Sequence, residues 1–140
     1  MPRKELITIE KVIFLKSVDI FAHATIDQLG QIAGLTKEVH FEPWQTIFRE
    51  GEPAGALYLV LSGRVVLEKN GQIISEIKEK DALGTLGVLD VHPRFYTAKA
   101  IDAVHALKLD AQDFHDLLSL DIEMVKAVFR VVCRRIREGR

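Results

Sequence analysis

Apolar positions recur along this chain with two different periods, and the change between them divides it into three parts. Residues 5–16 (ELITIEKVIFLK) place Leu6, Ile9 and Ile13 at helical spacing, and Ile7, Val12 and Phe14 widen the stripe. A face that wide needs a surface to pack on. In TIDQLGQIAGL, Thr25 and Gln28 stand as the first and fourth positions of a capping box. Ile26, Leu29 and Ile32 then supply the apolar face of a second helix, with Gly34 as its expected stop.

From about residue 36 the period shortens to two. VHF, TIFRE, ALYLVLSG, VVLEK, QIISEI, YTAKAI and AVHALKL read as short strands. Turn residues separate them: Pro43, Gly51-Glu52-Pro53, Ser62-Gly63, Asn70-Gly71, Asp81 and Pro93. Asn70-Gly71 is a hairpin signal, because a type I′ turn needs positive φ at both central positions. ALYLVLS is apolar at both alternating positions, which predicts cover on both of its faces. Seven or eight strands at this spacing predict an antiparallel barrel or jelly roll.

After residue 109 the helical period returns. Asp110 and Asp113 suit the first turn of a short helix in LDAQDFHDLL. DIEMVKAVFRVVCRRIREGR then begins acidic and ends basic, as the helix dipole favours, with Val125, Val128, Phe129, Val132 and Ile136 as its stripe. That stripe can pack on the chain's own strands or against a second copy or an adjoining domain.

Composition narrows the function classes. At 140 residues the chain has the size of one domain, 1–140. Nineteen basic and twenty acidic side chains leave a net charge of −1, so no global field draws it to nucleic acid or anionic membrane. The basic cluster Arg130, Arg134, Arg135, Arg137 and Arg140 is what a helix C-terminus favours, and nucleic-acid binding is not expected. No apolar run is long enough to span a bilayer, and MPRKELITIEKV lacks the features of a signal peptide. A single cysteine, Cys133, cannot form an internal disulfide, which fits a cytoplasmic protein. G-x-S-x-G, P-loop and HExxH motifs are missing, so no catalytic residue is assigned and an enzyme is not expected. His23, His40, His92, His105 and His115 lack the spacing of a metal site.

GTLGVLDVHPRFYTAKA (84–100) carries the distinctive chemistry. Two glycines three apart permit close backbone approach, and Arg94 follows as an isolated cation suited to a phosphate. Its alternative partners are the carboxylates of Asp90 and Asp102. By itself Thr85 reads as the N-cap of the turn TLGVLD, and His92 can add a donor nearby. On a strand Phe95 faces away from Arg94, into the core or onto the outer surface, whereas Tyr96 shares the face of Arg94 and can plug the site.

This arrangement resembles the cyclic-nucleotide-binding domain family, over about residues 15–136. IFREGEPAGALYLVLSGRVVLEKNG (47–71) matches the family's turn glycines at Gly51 and Gly63, its Tyr-containing strand and its Gly-x-Val. The resemblance implies a mainly β domain: an eight-stranded antiparallel β-roll over about 36–109, a helical start over about 5–34 and two C-terminal helices over about 110–138. It also implies that the 84–100 stretch is the phosphate-binding cassette, with Gly84, Thr85, Leu86, Gly87, Arg94 and Phe95 as ligand-binding residues. The chain departs from the pattern at Thr85, where the family places a ribose-binding glutamate, and at Phe95, where it places a small residue. The implied role is regulatory and of bacterial type: cAMP, cGMP or a related phosphate-bearing ligand binds, the last helix acts as lid or dimer seam, and no cofactor is required. The alternative is a degenerate domain, its pocket filled by Tyr96, that serves protein–protein interaction or dimerisation.

Overall fold

A computed structural model describes residues 5–139; residues 1–4 and Arg140 lie outside the described part. The helical start comprises α1 (Thr8–Lys16), a 3-10 turn (Asp19–Phe21) and α2 (Ile26–Leu35). Eight strands follow: β1 (Lys37–Phe41), β2 (Thr46–Phe48), β3 (Ala56–Ser62), β4 (Val65–Lys69), β5 (Gln72–Ile77), β6 (Ala82–Leu83), β7 (Thr97–Ala100) and β8 (Val104–Asp110). A short helix, α3 (Thr85–Leu89), separates β6 from β7, and α4 (Ala111–Leu120) and α5 (Ile122–Arg137) close the chain. The strands form two four-stranded antiparallel sheets, ordered β1-β8-β3-β6 and β2-β7-β4-β5.

Local chemistry explains most boundaries. The Thr25 hydroxyl accepts from the Gln28 N–H while the Gln28 side chain accepts from the Thr25 N–H, closing the capping box of α2. The β4–β5 hairpin turns at Asn70 (φ +53°) and Gly71 (φ +77°). At Gly63 (φ +95°) a Cβ would lie 2.9 Å from the Val104 Cα, so β3 can turn into β4 there only with a glycine. Asp110 caps α4 by accepting from the N–H groups of Gln112 and Asp113.

Two apolar clusters hold these elements together. Phe48, Val65, Leu67, Leu83, Ala98, Ala100, Val104 and Ala106 fill the space inside the roll. The second cluster lies between the roll and the helices: Leu57, Leu59, Leu107 and Leu109 meet Leu15, Phe21, Leu29, Ile32, Phe114, Met124 and Val131. β3 and β8 therefore contribute to both clusters, the cover that the unbroken apolar run of β3 predicted.

The helices differ from expectation in which residues they bury. α1 starts at Thr8, and Ile9 and Ile13 point to solvent while Leu15 enters the core. Ile26 is likewise exposed, and α2 runs past Gly34 to Leu35. In α5 the expected stripe divides. Val128 joins Met124, Ala127 and Val131 in the buried face, Val125 and Val132 are half-buried, and Phe129 and Ile136 are exposed. A helix wedged between two surfaces has two apolar faces, and spacing alone merges them.

Candidate functional site

Arg94 is placed by its backbone before its side chain acts. Its N–H donates to the Glu52 carbonyl and its own carbonyl accepts from the Gly51 N–H, both at 2.8 Å. This local pairing with the turn before β3 imposes strand-like alternation ahead of β7. Arg94 points inward and is 6% exposed, Phe95 points outward and is 57% exposed, and Tyr96 returns inward, packed on the roll's apolar cluster.

The buried guanidinium donates from Nη1 to the Gly84 carbonyl at 3.2 Å and from Nη2 to the Ala56 carbonyl. It lies over the Phe48 ring, 3.9 Å from guanidinium carbon to ring centroid. Among the described residues its Nε has no partner, and neither has the buried hydroxyl of Thr85. Burial pushes the Arg94 pKa down, while the neighbouring Tyr58, Tyr96 and Glu52 oppose that shift. Neither carboxylate considered from the sequence pairs with it: Asp102 binds Arg64 at 2.9 Å, and Asp90 closes α3.

Gly84, in the left-handed region at φ +81°, is the N-cap of α3. Thr85 is thus the first helical residue and not the cap the sequence suggested, because the sharp turn required at residue 84 needs a residue without Cβ. A Cβ at Gly84 would collide with Arg94 Nη1, and one at Gly87 would press on Ala54 Cβ at 3.0 Å and the His92 carbonyl at 3.1 Å. The GxxG spacing therefore lets this helix lie against the arginine and the preceding loop.

Tyr96 completes the inner side. Its ring packs 5.8 Å from that of Phe48, which in turn stacks 6.4 Å from Tyr58. Burial raises the Tyr96 pKa, opposed by Arg94 and by a hydrogen bond from the Gly84 backbone. The phenol oxygen thus sits beside the cassette backbone and within the field of Arg94.

Phe95 and His92 occupy the outer side. Their rings stack at 4.6 Å, His92 Nδ1 lies 2.7 Å from the Pro93 carbonyl, and Lys69 Nζ donates to the Phe95 carbonyl at 2.7 Å. His92 is thereby turned away from Arg94. Phe95 lines a groove of about 440 Å³ with Leu86, Gly87, Leu89, Val125, Phe129 and Val132. The structure thus brings Gly84, Thr85, Gly87 and Arg94 together with Tyr96, and puts Phe95 and Leu86 with the last helix. Sequence reasoning missed Phe48 and the Ala56 carbonyl, which reach Arg94 from remote strands, and His115, whose partner lies in α3. The Tyr-containing strand motif was the one available sign of Tyr58.

Among the described residues, no cluster of three or more His, Cys, Asp or Glu is placed to hold a metal, and no helix is long and apolar enough to cross a membrane.

A β-roll carrying a GxxG helix and an inward arginine defines a class, and the chain belongs to it: the cyclic nucleotide-binding domain family, whose model matches residues 38–121. The chain is 31% identical over 130 residues to a CRP-like cAMP-activated global transcriptional regulator of Mycobacterium tuberculosis, covering 85% of this chain and 58% of that protein. It is 30% identical over 127 residues to an uncharacterized NTE family protein of the same organism, covering 90% of this chain. This chain spans only 22% of that relative's length. The N-terminal domain of a transcriptional regulator from Streptomyces coelicolor A3(2) superposes with a TM-score of 0.78 at 28% identity, covering 90% of this chain and 94% of that one.

Proposed function

We infer that this domain is a regulatory module that binds cAMP, cGMP or a related phosphate-bearing small molecule at Gly84, Thr85, Leu86, Gly87 and Arg94. Occupancy then repositions the terminal helices. Arg94 carries the reading. Among the described residues the buried guanidinium is hydrogen-bonded only to carbonyls, with Glu52 acting on it at a distance and no carboxylate bonded to it. A buried charge left without a directly bonded counter-charge costs several kcal/mol. An anion would offset that cost, and the unpartnered Nε and Thr85 hydroxyl are donors suited to phosphate oxygens. With Thr85 in place of a carboxylate, the site adds no negative charge to repel a phosphate.

Thermal unfolding with cAMP and cGMP tests this. A ligand at one hundred times its Kd adds about 2.7 kcal/mol to stability, and Arg94→Met should abolish the shift. No shift at millimolar nucleotide in the wild type would refute the reading.

A second reading is favoured by Tyr96, whose phenol takes the Gly84 backbone hydrogen bond that a ligand oxygen would need. Here the domain is self-plugged and works through contacts of α5, whose exposed Phe129 and Ile136 offer a seam for a second copy or a neighbouring domain. The same titration on Tyr96→Ala separates the two. A nucleotide shift seen only in that variant identifies Tyr96 as the plug.

A further inference from the structure

His115 lies on α4, outside every element of the anion site, yet it reaches the cassette. Its Nε2 is 2.6 Å from the Val88 carbonyl. A carbonyl only accepts, so this nitrogen carries a proton and donates. We propose that His115 is the positioning residue that couples the cassette helix α3 to the C-terminal helices, and that ligand occupancy at Arg94 is read through this bond.

α3 is only five residues long. Five residues do not form a stable helix alone, so tertiary contacts must hold it. Three of its last-turn carbonyls have partners outside the helix ladder. The Leu86 carbonyl accepts from the Asp90 N–H and that of Gly87 from the His92 N–H, both at 3.0 Å and both within the cassette. The Val88 carbonyl accepts from His115, and among the described residues no other hydrogen bond joins α3 to α4 or α5. Just ahead of α3, Arg94 Nη1 donates to the Gly84 carbonyl. Side chains therefore hold this helix at both ends, Arg94 and Tyr96 in the anion site and His115 on α4.

The residues beside this bond are buried on both helices. Val88 and Phe114, the residue before His115, are both fully buried in the cluster beneath the helices. The α5 side of α3 is different. There Leu86, Gly87 and Leu89 face Val125, Phe129 and Val132 across the apolar groove, which Leu118 of α4 also lines. Dispersion contacts across such a gap tolerate sliding, whereas a hydrogen bond weakens steeply as its angle closes. α4 is thus the element that senses the position of α3, and it passes a shift to α5 through the one-residue link at Asp121. By linkage, a ligand that orders α3 strengthens the His115 bond, and the bond strengthens ligand binding by the same factor.

The consequence for ligand binding rests on the functional reading above; the tie itself does not. Amide hydrogen exchange of His115→Phe, which keeps a ring and loses the donor, and of His115→Gln, which keeps an N–H donor, separates the two. In the phenylalanine variant the Asp90 and His92 amides should exchange on the order of tenfold faster, with β3 and β8 unchanged. The glutamine variant should restore most of the protection. Unchanged exchange in His115→Phe, or uniform loss across β3 and β8, would overturn the proposal, as would protection kept by Phe and lost by Gln. Calorimetric titration of cAMP into the wild type runs alongside. No binding there counts against the nucleotide reading alone, while the exchange pattern still judges the tie.

Discussion

One side of α5 meets the N-terminal helices through directional polar contacts, and the other meets the cassette across an apolar groove. On the first side Asp19 accepts from Arg134 Nη2 at 2.5 Å and from Arg135 Nε at 3.1 Å, and Gln28 Nε2 donates to Asp121 at 3.2 Å. Beneath these contacts Met124 and Val131 are fully buried. On the second side Val125 and Val132 are half-buried and Phe129 is 64% exposed. The helix is thus tied to the N-terminal layer by hydrogen bonds and ion pairs, and meets α3 by apolar contact alone among the described residues. In a module that repositions helices on binding, the movable boundary is the one without directional bonds.

Paired truncations on the two faces give the largest test. Met124→Ala should cost about 2–5 kcal/mol in urea unfolding, through lost burial and the cavity left behind. Phe129→Ala should stay within about 0.5 kcal/mol, since its ring is mostly in solvent. Equal losses would erase the distinction between the faces, and would point to a partner covering Phe129.

Asp19→Ala should have a smaller effect, about 1 kcal/mol or less, because the three charges are about one-third exposed and screened by water. Its signature is local: faster exchange in the last turns of α5 and a stability loss that shrinks with added salt. A loss independent of salt would mean that packing and not charge holds this end.

The smallest effect concerns the N-terminal layer under acid. Burial pushes the Glu38 carboxyl up, but the Leu6 N–H at 2.7 Å and His105 at 2.7 Å outweigh it and leave its pKa below the usual range. A group depressed on folding contributes stability that is fully present above the ordinary glutamate range, near 4.3, and lost as pH falls through the lower folded value. Glu38→Gln should therefore flatten the decline of stability below about pH 4.3. An acid titration identical to the wild type would show that the Leu6 tie does not depend on the charge.

Much of this architecture is legible in the residues because its causes are local. Asn70-Gly71, the Thr25–Gln28 box and the Asp110 cap each act within four residues, and the two-residue period of the strands follows from the pleat. β6 escaped notice because two residues carry no period. Phe95 and Tyr96 were legible as opposites for the same reason that strands alternate, although neither belongs to β7. Their surroundings were not: the Phe95 ring found His92 and the groove, and Tyr96 found Phe48, 48 positions earlier in the chain.

The cassette separates the two kinds of information. The sequence by itself determined that a glycine-bounded turn would be followed by an arginine and two aromatics, with Phe95 opposite Arg94 and Tyr96 beside it, since backbone freedom and strand parity are properties of neighbouring residues. Only the tertiary structure decided that Arg94 would spend its donors on the Gly84 and Ala56 carbonyls, that Nε would be left without one, and that His115 would reach Val88 from 27 positions away. Those choices follow from how two sheets and a layer of helices close on one another. Burial forces each polar group to take whichever partner the packing brings within 3 Å or so, and no local pattern records that partner.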